Sequence, residues 1–377
     1  MWNRIKAIAK KEVRELSRDK RMLYVLFAFP MILLAIFGYA INFDVHHIKL
    51  AVYDQDKSVD SRNFINALTS SEYFDLVEYI NNENKIRDIL DTKKAECVIV
   101  FPHDMSKKFY SNQNVDVQII IDGVDANTAN IVKSYISAAT AFYSQKMQVK
   151  VLNALGKEIY IPIDLRSAFW FNPALDTTFF LIPGLIAMIL IITAVISISL
   201  SIVREKERGT IEQLNVSPLT SFELLVGKTI PYTIISLIIT VFILIAGNFL
   251  FGIPVKGNMI LLFFSTLLFL FASLNLGILV SSIADSQQVA FQMATLISML
   301  PSTILSGFIF PIESMPKAIQ ILTNITPAKF FLIILRDILL KGAGIYAYWD
   351  QLIYLFIFSI ITLALSVLIT RKSKITS

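Results

Sequence analysis

Apolar positions in this chain fall into long blocks, not short stripes. Six stretches, residues 22–41, 177–203, 229–255, 257–284, 286–312 and 351–370, contain no Asp, Glu, Lys, Arg or His. At about 1.5 Å of rise per residue, a helix of about 20 residues reaches about 30 Å, the thickness of a bilayer's hydrocarbon core. A soluble domain can bury one such helix at its centre, not six. The pattern predicts a polytopic α-helical membrane protein with six transmembrane helices. A basic segment precedes the first block, and Gly38-Tyr39-Ala40 weakly resembles a signal-cleavage site. The block is longer than a signal peptide's apolar core and five more follow, so a retained span is expected.

The polar intervals carry their own patterns. In WNRIKAIAKKEVRELSRDKR, residues Trp2, Ile5, Ala9, Val13 and Leu16 recur at helical spacing, with Lys and Arg on the other side. Residues 1–21 are expected to form an amphipathic helix on the inner membrane surface, either as an anchor or as a surface for a cytoplasmic partner. Residues 22–43 follow as the first transmembrane helix. Residues 44–178 are the one sizeable polar interval. IKLAVYD (48–54), ECVIVF (96–101) and VDVQIII (115–121) are short and β-branched, and read as strands. SRNFINALTSSEYFDLVEYI and NKIRDILDTKKA between them have helical patterns, so an extracytoplasmic α/β domain is expected between spans one and two. A long helix from Asn127 to about Leu155 leads back to the membrane, entered at Phe169, Trp170 and Phe171, which suit the interfacial aromatic belt.

Residues 179–371 then read as a five-helix transmembrane region, interrupted by a polar loop at 204–228 and a broken segment at 312–345. In the second, Pro311, Pro316 and Pro327 separate short apolar pieces, and 330–340 is too short to cross and carries Arg336 and Asp337. Half-helices dipping into the outer leaflet are expected there. Residues 372–377 form a tail.

Charge adds the orientation. The chain is 55% hydrophobic with a formal net charge of +5. Residues 1–21 carry eight basic and three acidic side chains, and the tail from Arg371 carries three bases and no acid. Residues 44–176 carry 14 basic and 18 acidic side chains. The positive-inside rule places both termini in the cytoplasm and the long interval outside, as six crossings require. The basic balance therefore reports topology and not nucleic-acid binding. Cys97, His46, His47 and His103 have neither a disulfide partner nor metal-ligand spacing.

Candidate chemistry is sparse. Ionisable groups inside a membrane cost about 2.5–3.5 kcal/mol each on insertion scales and persist for function. None lies in the six blocks, which disfavours a self-contained proton-coupled pump and leaves an intramembrane enzyme without a base or a metal site. Val226-Gly227-Lys228-Thr229 ends like a phosphate loop, but the motif's first Gly would fall at Phe222 and the string runs into an apolar block. Energy for work is expected from elsewhere. In the 204–228 loop, Thr210 and Gln213 fit one capping box and Thr220 and Glu223 a second, with Pro218 between them.

Three ordered stretches resemble the permease subunit of type-2 ABC exporters over nearly the whole chain. They are RSAFWFNPALDTTFFLIPGLIAMIL, REKERGTIEQLNVSPLTSFELLVGK, and SGFIFPIESMP followed by ITPAKFFLIILRDILLKG. The resemblance is to the branch with a large external domain after the first span, associated with export of drugs and other small amphiphiles or cations. It implies a bacterial inner-membrane protein without catalysis of its own, in which two permease chains, copies or relatives, each engage a cytoplasmic ATPase. ATP and Mg would be bound by that partner, with no cofactor in this chain. Carried onto this sequence, Glu205, Glu207, Gly209, Thr210, Glu212, Gln213 and Leu214 would be the ATPase-coupling element. The N-terminal helix, with Lys10, Glu12, Arg14 and Arg18, would be the second contact, in place of a mere anchor. Pro311, Glu313, Pro316, Arg336 and Lys341 match the outer re-entrant region. A periplasmic adaptor is a further candidate partner, beside membrane lipids. The rival readings are an envelope polymer or lipid exporter, an ion-gradient-driven transporter, and a receptor-like protein whose external domain binds ligand.

Overall fold

The computed structural model describes residues 1–40, 47–71, 73–111, 113–124, 126–154, 170–172, 176–210 and 219–376. It divides into a helical unit, Met1–Asn42 with Ala168–Ser377, and a second unit, Phe43–Ser167.

The helical unit opens with α1 (Trp2–Arg18) and α2 (Lys20–Ala40), separated by Asp19, which leaves helical geometry and accepts from the Met22 amide at 3.0 Å. Five helices among the described residues are long and apolar enough to cross a membrane: α2, α7 (Thr177–Glu207), α8 (Ser221–Phe251), α9 (Met259–Ile283) and α13 (Trp349–Thr376). This is a polytopic helical membrane protein. α7 is apolar all round and lies at the centre, packed by α2, α8, α9 and α10 (Gln287–Ile304), its apolar stretch 89% buried against 18% for α2.

The fifth apolar block departs from the expected long span. It is helical only over α10 (Gln287–Ile304), which carries Gln287, Gln288 and Gln292 and is not among the five. Beyond it, α11 (Lys317–Leu322) with its 3-10 extension meets α12 (Pro327–Arg336) at 94°, a broken span or a re-entrant loop by geometry. Pro327 begins α12, where its missing N–H is not needed, and Thr326 before it is extended.

In the second unit a four-stranded sheet has the order β2-β1-β3-β4. β1 (Ile48–Asp54) runs parallel to β2 (Phe74–Tyr79) and β3 (Cys97–Phe101), and β4 (Gln118–Ile121) is antiparallel to β3. Alternation sorts the faces: Leu50, Val52, Cys97 and Ile99 pack with α3 (Val59–Thr69) and α6 (Ala126–Ala154). Ala51 and Val98 pack with α4 (Asn84–Asp91) on the other face. Strand β2 corrects the helical reading of 61–80. Ser70 and Ser71 turn their hydroxyls back onto the Asn66 and Leu68 carbonyls at 2.6 and 2.5 Å, closing α3, and Phe74 and Leu76 then alternate inward.

Candidate functional site

Where α1 crosses the ends of α7 and α8, the structure buries ionised groups. Stacking Ile5, Ile8, Glu12 and Leu16 on one face of α1 turns an acid inward among aliphatics, and Glu12 is 1% exposed. Gly227 on α8 permits the close approach: a Cβ there would lie 2.8 Å from the Ile8 Cβ and 3.3 Å from the Ile5 carbonyl oxygen. One residue on, Lys228 is 2% exposed, its Nζ 2.7 Å from Glu12 Oε1 and 2.8 Å from Glu205 Oε2. Ser201, one turn before Glu205 on α7, donates to Glu12 Oε2 at 3.0 Å. Lys11 closes the set from α1, donating to Glu205 and lying 3.5 Å from Glu15. Burial pulls the Lys11 ammonium down, but its hydrogen bond to Glu205 and the fields of Glu205, Glu12 and Glu15 win and raise its pKa. Lys11 is therefore charged throughout the neutral range.

Beside this clasp lies a cavity of about 230 Å³ that Tyr232, Arg204 and Thr210 also line. The carboxylates of Glu12, Glu15 and Glu205 lie within 4.8 Å of one another, close enough for a metal by distance alone. Two ammonium groups already stand among them, so the arrangement is an ion-pair network and not a cation cage. With each charge paired, the network does mechanical work: it ties three helices at one point.

Around it the α7 terminus is held from several sides. Arg204 pairs with Asp19 at 2.6 Å, reaching the α1–α2 junction. Lys206 donates to the Ser281 carbonyl at 2.5 Å at the end of α9, and Glu207 accepts the Gln287 amide at 2.6 Å at the start of α10. Gly209, at φ 68°, ends the helix in the left-handed region, and Thr210 donates to the Glu205 carbonyl at 3.2 Å. Glu212, Gln213 and Leu214, and with them the first capping box, lie outside the described residues. The second box is formed: the Thr220 hydroxyl accepts from the Glu223 amide at 3.2 Å, and the Glu223 carboxylate accepts from the Thr220 amide at 3.0 Å. Arg4 and the N-terminal amine each lie 3.7 Å from that carboxylate.

Residues 20–368 match the ABC-2 family transporter protein family. The chain belongs to the ABC-2 transporter family. Relatives of this ABC-2 permease include the "Probable multidrug ABC transporter permease YbhS" of Escherichia coli K12, 34% identical over 90% of this chain and 89% of the relative. YbhR of the same organism, named in the same words, is 32% identical over 93% and 94%. The "Inner membrane transport permease YhhJ" of the same strain is 26% identical over 92% and 91%.

The expected site residues of the permease fall in several places in the fold. The helical period carries Glu12 and Glu205 to the inner seam, where they hold Lys228. Lys10, Arg14 and Arg18 stay exposed, as do Glu207 and Gly209. Of the apolar stripe on α1, Ile5 and Leu16 are buried against the neighbouring helices, and Trp2 and Val13 are exposed. The outer-region residues do not converge on one site. Pro311, Glu313 and Pro316 are exposed. Arg336 donates to the Phe180 and Gly307 carbonyls at 3.0 and 3.1 Å and stacks on the Phe180 ring, joining α12 to α7. Lys341 pairs with Asp337 at 2.5 Å.

Sequence reasoning missed Lys228, Lys11 and Ser201. The signal was present: Glu12 falls on the i, i+3, i+7, i+11 stripe begun by Ile5, and an acid on an apolar stripe asks for a buried cation. The string that ends like a phosphate loop supplies it from inside α8.

Proposed function

We propose that this ABC-2 permease is the membrane half of an ATP-driven exporter of small amphiphilic molecules, energised by a separate cytoplasmic ATPase and paired with a second permease chain. The observation that carries the reading is the ion-paired clasp at Glu12, Lys228 and Glu205, which binds α1 to both helices flanking the 204–228 loop. A partner that pushes on either α1 or the loop therefore displaces α7 and α8 together. The exposed basic face at Lys10, Arg14 and Arg18, with the exposed turn at Glu207 and Gly209, is the surface such a partner would grip. Family membership favours an ABC ATPase as that partner, and the printed names of YbhS and YbhR favour drug-like cargo.

In this reading the chain crosses an inner membrane six times, with both termini and the 204–228 loop in the cytoplasm and 44–178 outside. The basic ends of the chain and the acidic 44–176 interval support that orientation. α10 would be the fifth crossing, since its 18 residues span about 27 Å, close to the bilayer core. α11 and α12 would dip into the outer leaflet. Replacing residues 209–213 by a flexible Gly/Ser stretch should leave the permease folded and bound to its ATPase while ATP hydrolysis loses its link to export. Undiminished export by that variant would overturn the coupling assignment.

A further inference from the structure

A second feature of the helical unit lies away from the clasp. Between α12 and α13 runs a cleft of about 450 Å³. Its floor is a helical stripe on α13, Tyr354, Ile357, Phe358 and Ile361, faced by Phe330 of α12, whose ring centroid is 5.6 Å from that of Tyr354. Tyr354, Ile357 and Ile361 are about half exposed, so the stripe is open along its length.

One end of the cleft is polar. Lys329, in the first turn of α12, is half-buried and donates to Thr323 Oγ1 at 2.9 Å and Asn324 Oδ1 at 2.7 Å. Both partners are neutral, and no carboxylate among the described residues lies within ion-pair distance of the ammonium; Glu313 acts on it only from farther away. Its charge adds to the positive end of the α12 dipole. On the α13 side, Gln351 lines the same cleft with a buried Oε1 that accepts no hydrogen bond, while its amide donates to Asp350 Oδ2 at 2.8 Å. A fixed cation, an unused carbonyl beside a carboxylate, and an apolar stripe leading away from both match a molecule with an anion, an ammonium and a hydrocarbon tail.

We propose that this cleft holds one aminophospholipid of the bilayer, its phosphate on Lys329, its ammonium beside Gln351 and the adjoining Asp350 carboxylate, and one acyl chain along Tyr354, Ile357, Phe358 and Ile361. The polar contacts place the headgroup at the α12 N-terminus, and the stripe takes the chain across about two turns of α13.

Native mass spectrometry of the full chain in mild detergent, titrated separately with phosphatidylethanolamine and phosphatidylglycerol, tests it. One retained phosphatidylethanolamine per chain is expected, bound more tightly than phosphatidylglycerol. Losing the charge-assisted contact in K329A should weaken it about tenfold, whereas K329R, which keeps the cation, should stay within about twofold. I357W fills the cleft without touching Lys329 and should also release the lipid, with elution and melting unchanged from K329R. If K329A and I357W retain phosphatidylethanolamine like the parent chain, or if phosphatidylglycerol binds as tightly, the proposal is overturned.

Discussion

Lys228 shows how much one residue carries. It stands between two carboxylates, all three side chains withdrawn from water, and removal of one member of such a set leaves uncompensated charge in a poorly solvating interior. K228M should therefore lose about 3–5 kcal/mol of stability, read as a clear fall in the unfolding temperature in detergent. E12Q/K228M, which also removes a facing charge, should recover part of it. An unchanged melt for K228M would show that the ion pairs contribute nothing. Cys97 makes a separate case. Burial in the sheet raises its thiol to about 12, so the native protein keeps it protonated and closed to maleimides. The sign follows: the unfolded thiol ionises from about pH 9 and the folded one only near 12, so this group's contribution to stability falls as pH rises across that window. Labelling of Cys97 at pH 7.5 should require denaturant, and reaction of the native chain would contradict its burial.

Among the elements, α1 depends on a surface smooth enough to receive it. G227A places a methyl against the Ile8 Cβ and the Ile5 carbonyl, and overpacking of this kind costs about 1–3 kcal/mol. Proteolysis should then cut α1 faster while the rest of the helical unit resists; equal cleavage rates would argue against tight docking. At the head of α8 the Thr220 cap is worth about 1 kcal/mol, so T220A should lower stability modestly. In the α/β unit, Asp56 joins the start of α3 to α5 (Met105–Tyr110). Burial alone would raise its carboxyl, but hydrogen bonds from Ser106 and Ser58 outweigh that and hold it below its ordinary value. A depressed carboxyl stabilises the fold above its unfolded value near 3.8 and loses that effect as pH falls through the folded value. S106A should flatten the acid dependence of unfolding below the ordinary carboxyl value near 3.8. The parent's slope in S106A would disprove the link.

For the whole molecule, orientation can be checked because Cys97 is silent. V124C, at a residue 87% exposed in the α/β unit, should react with an impermeant thiol reagent from outside intact cells, and R18C only after permeabilisation. The reverse pattern would overturn the proposed topology. Purification in mild detergent should bring down an ABC ATPase together with a second permease chain, and charge reversal at Lys10, Arg14 and Arg18 should lose the ATPase while keeping the permease pair.

Much of this permease was legible in its sequence, because a bilayer's demands are local. A helix must satisfy its own backbone and present some 20 apolar residues, and uncharged blocks record both conditions without reference to neighbours. Strands β1, β3 and β4, the long α6 and the Thr220 cap were readable for the same reason, each resting on nearby residues. Tertiary packing decided the rest. Whether 74–79 pairs as a strand depends on β1 beside it, and whether α10 lengthens depends on the turn that follows. Above all, Glu12, the Ser201–Glu205 turn of α7 and Lys228 are remote from one another in sequence and of ordinary type. They become a site only when three helices cross, since desolvation and ion pairing are properties of the space they share and not of any one segment.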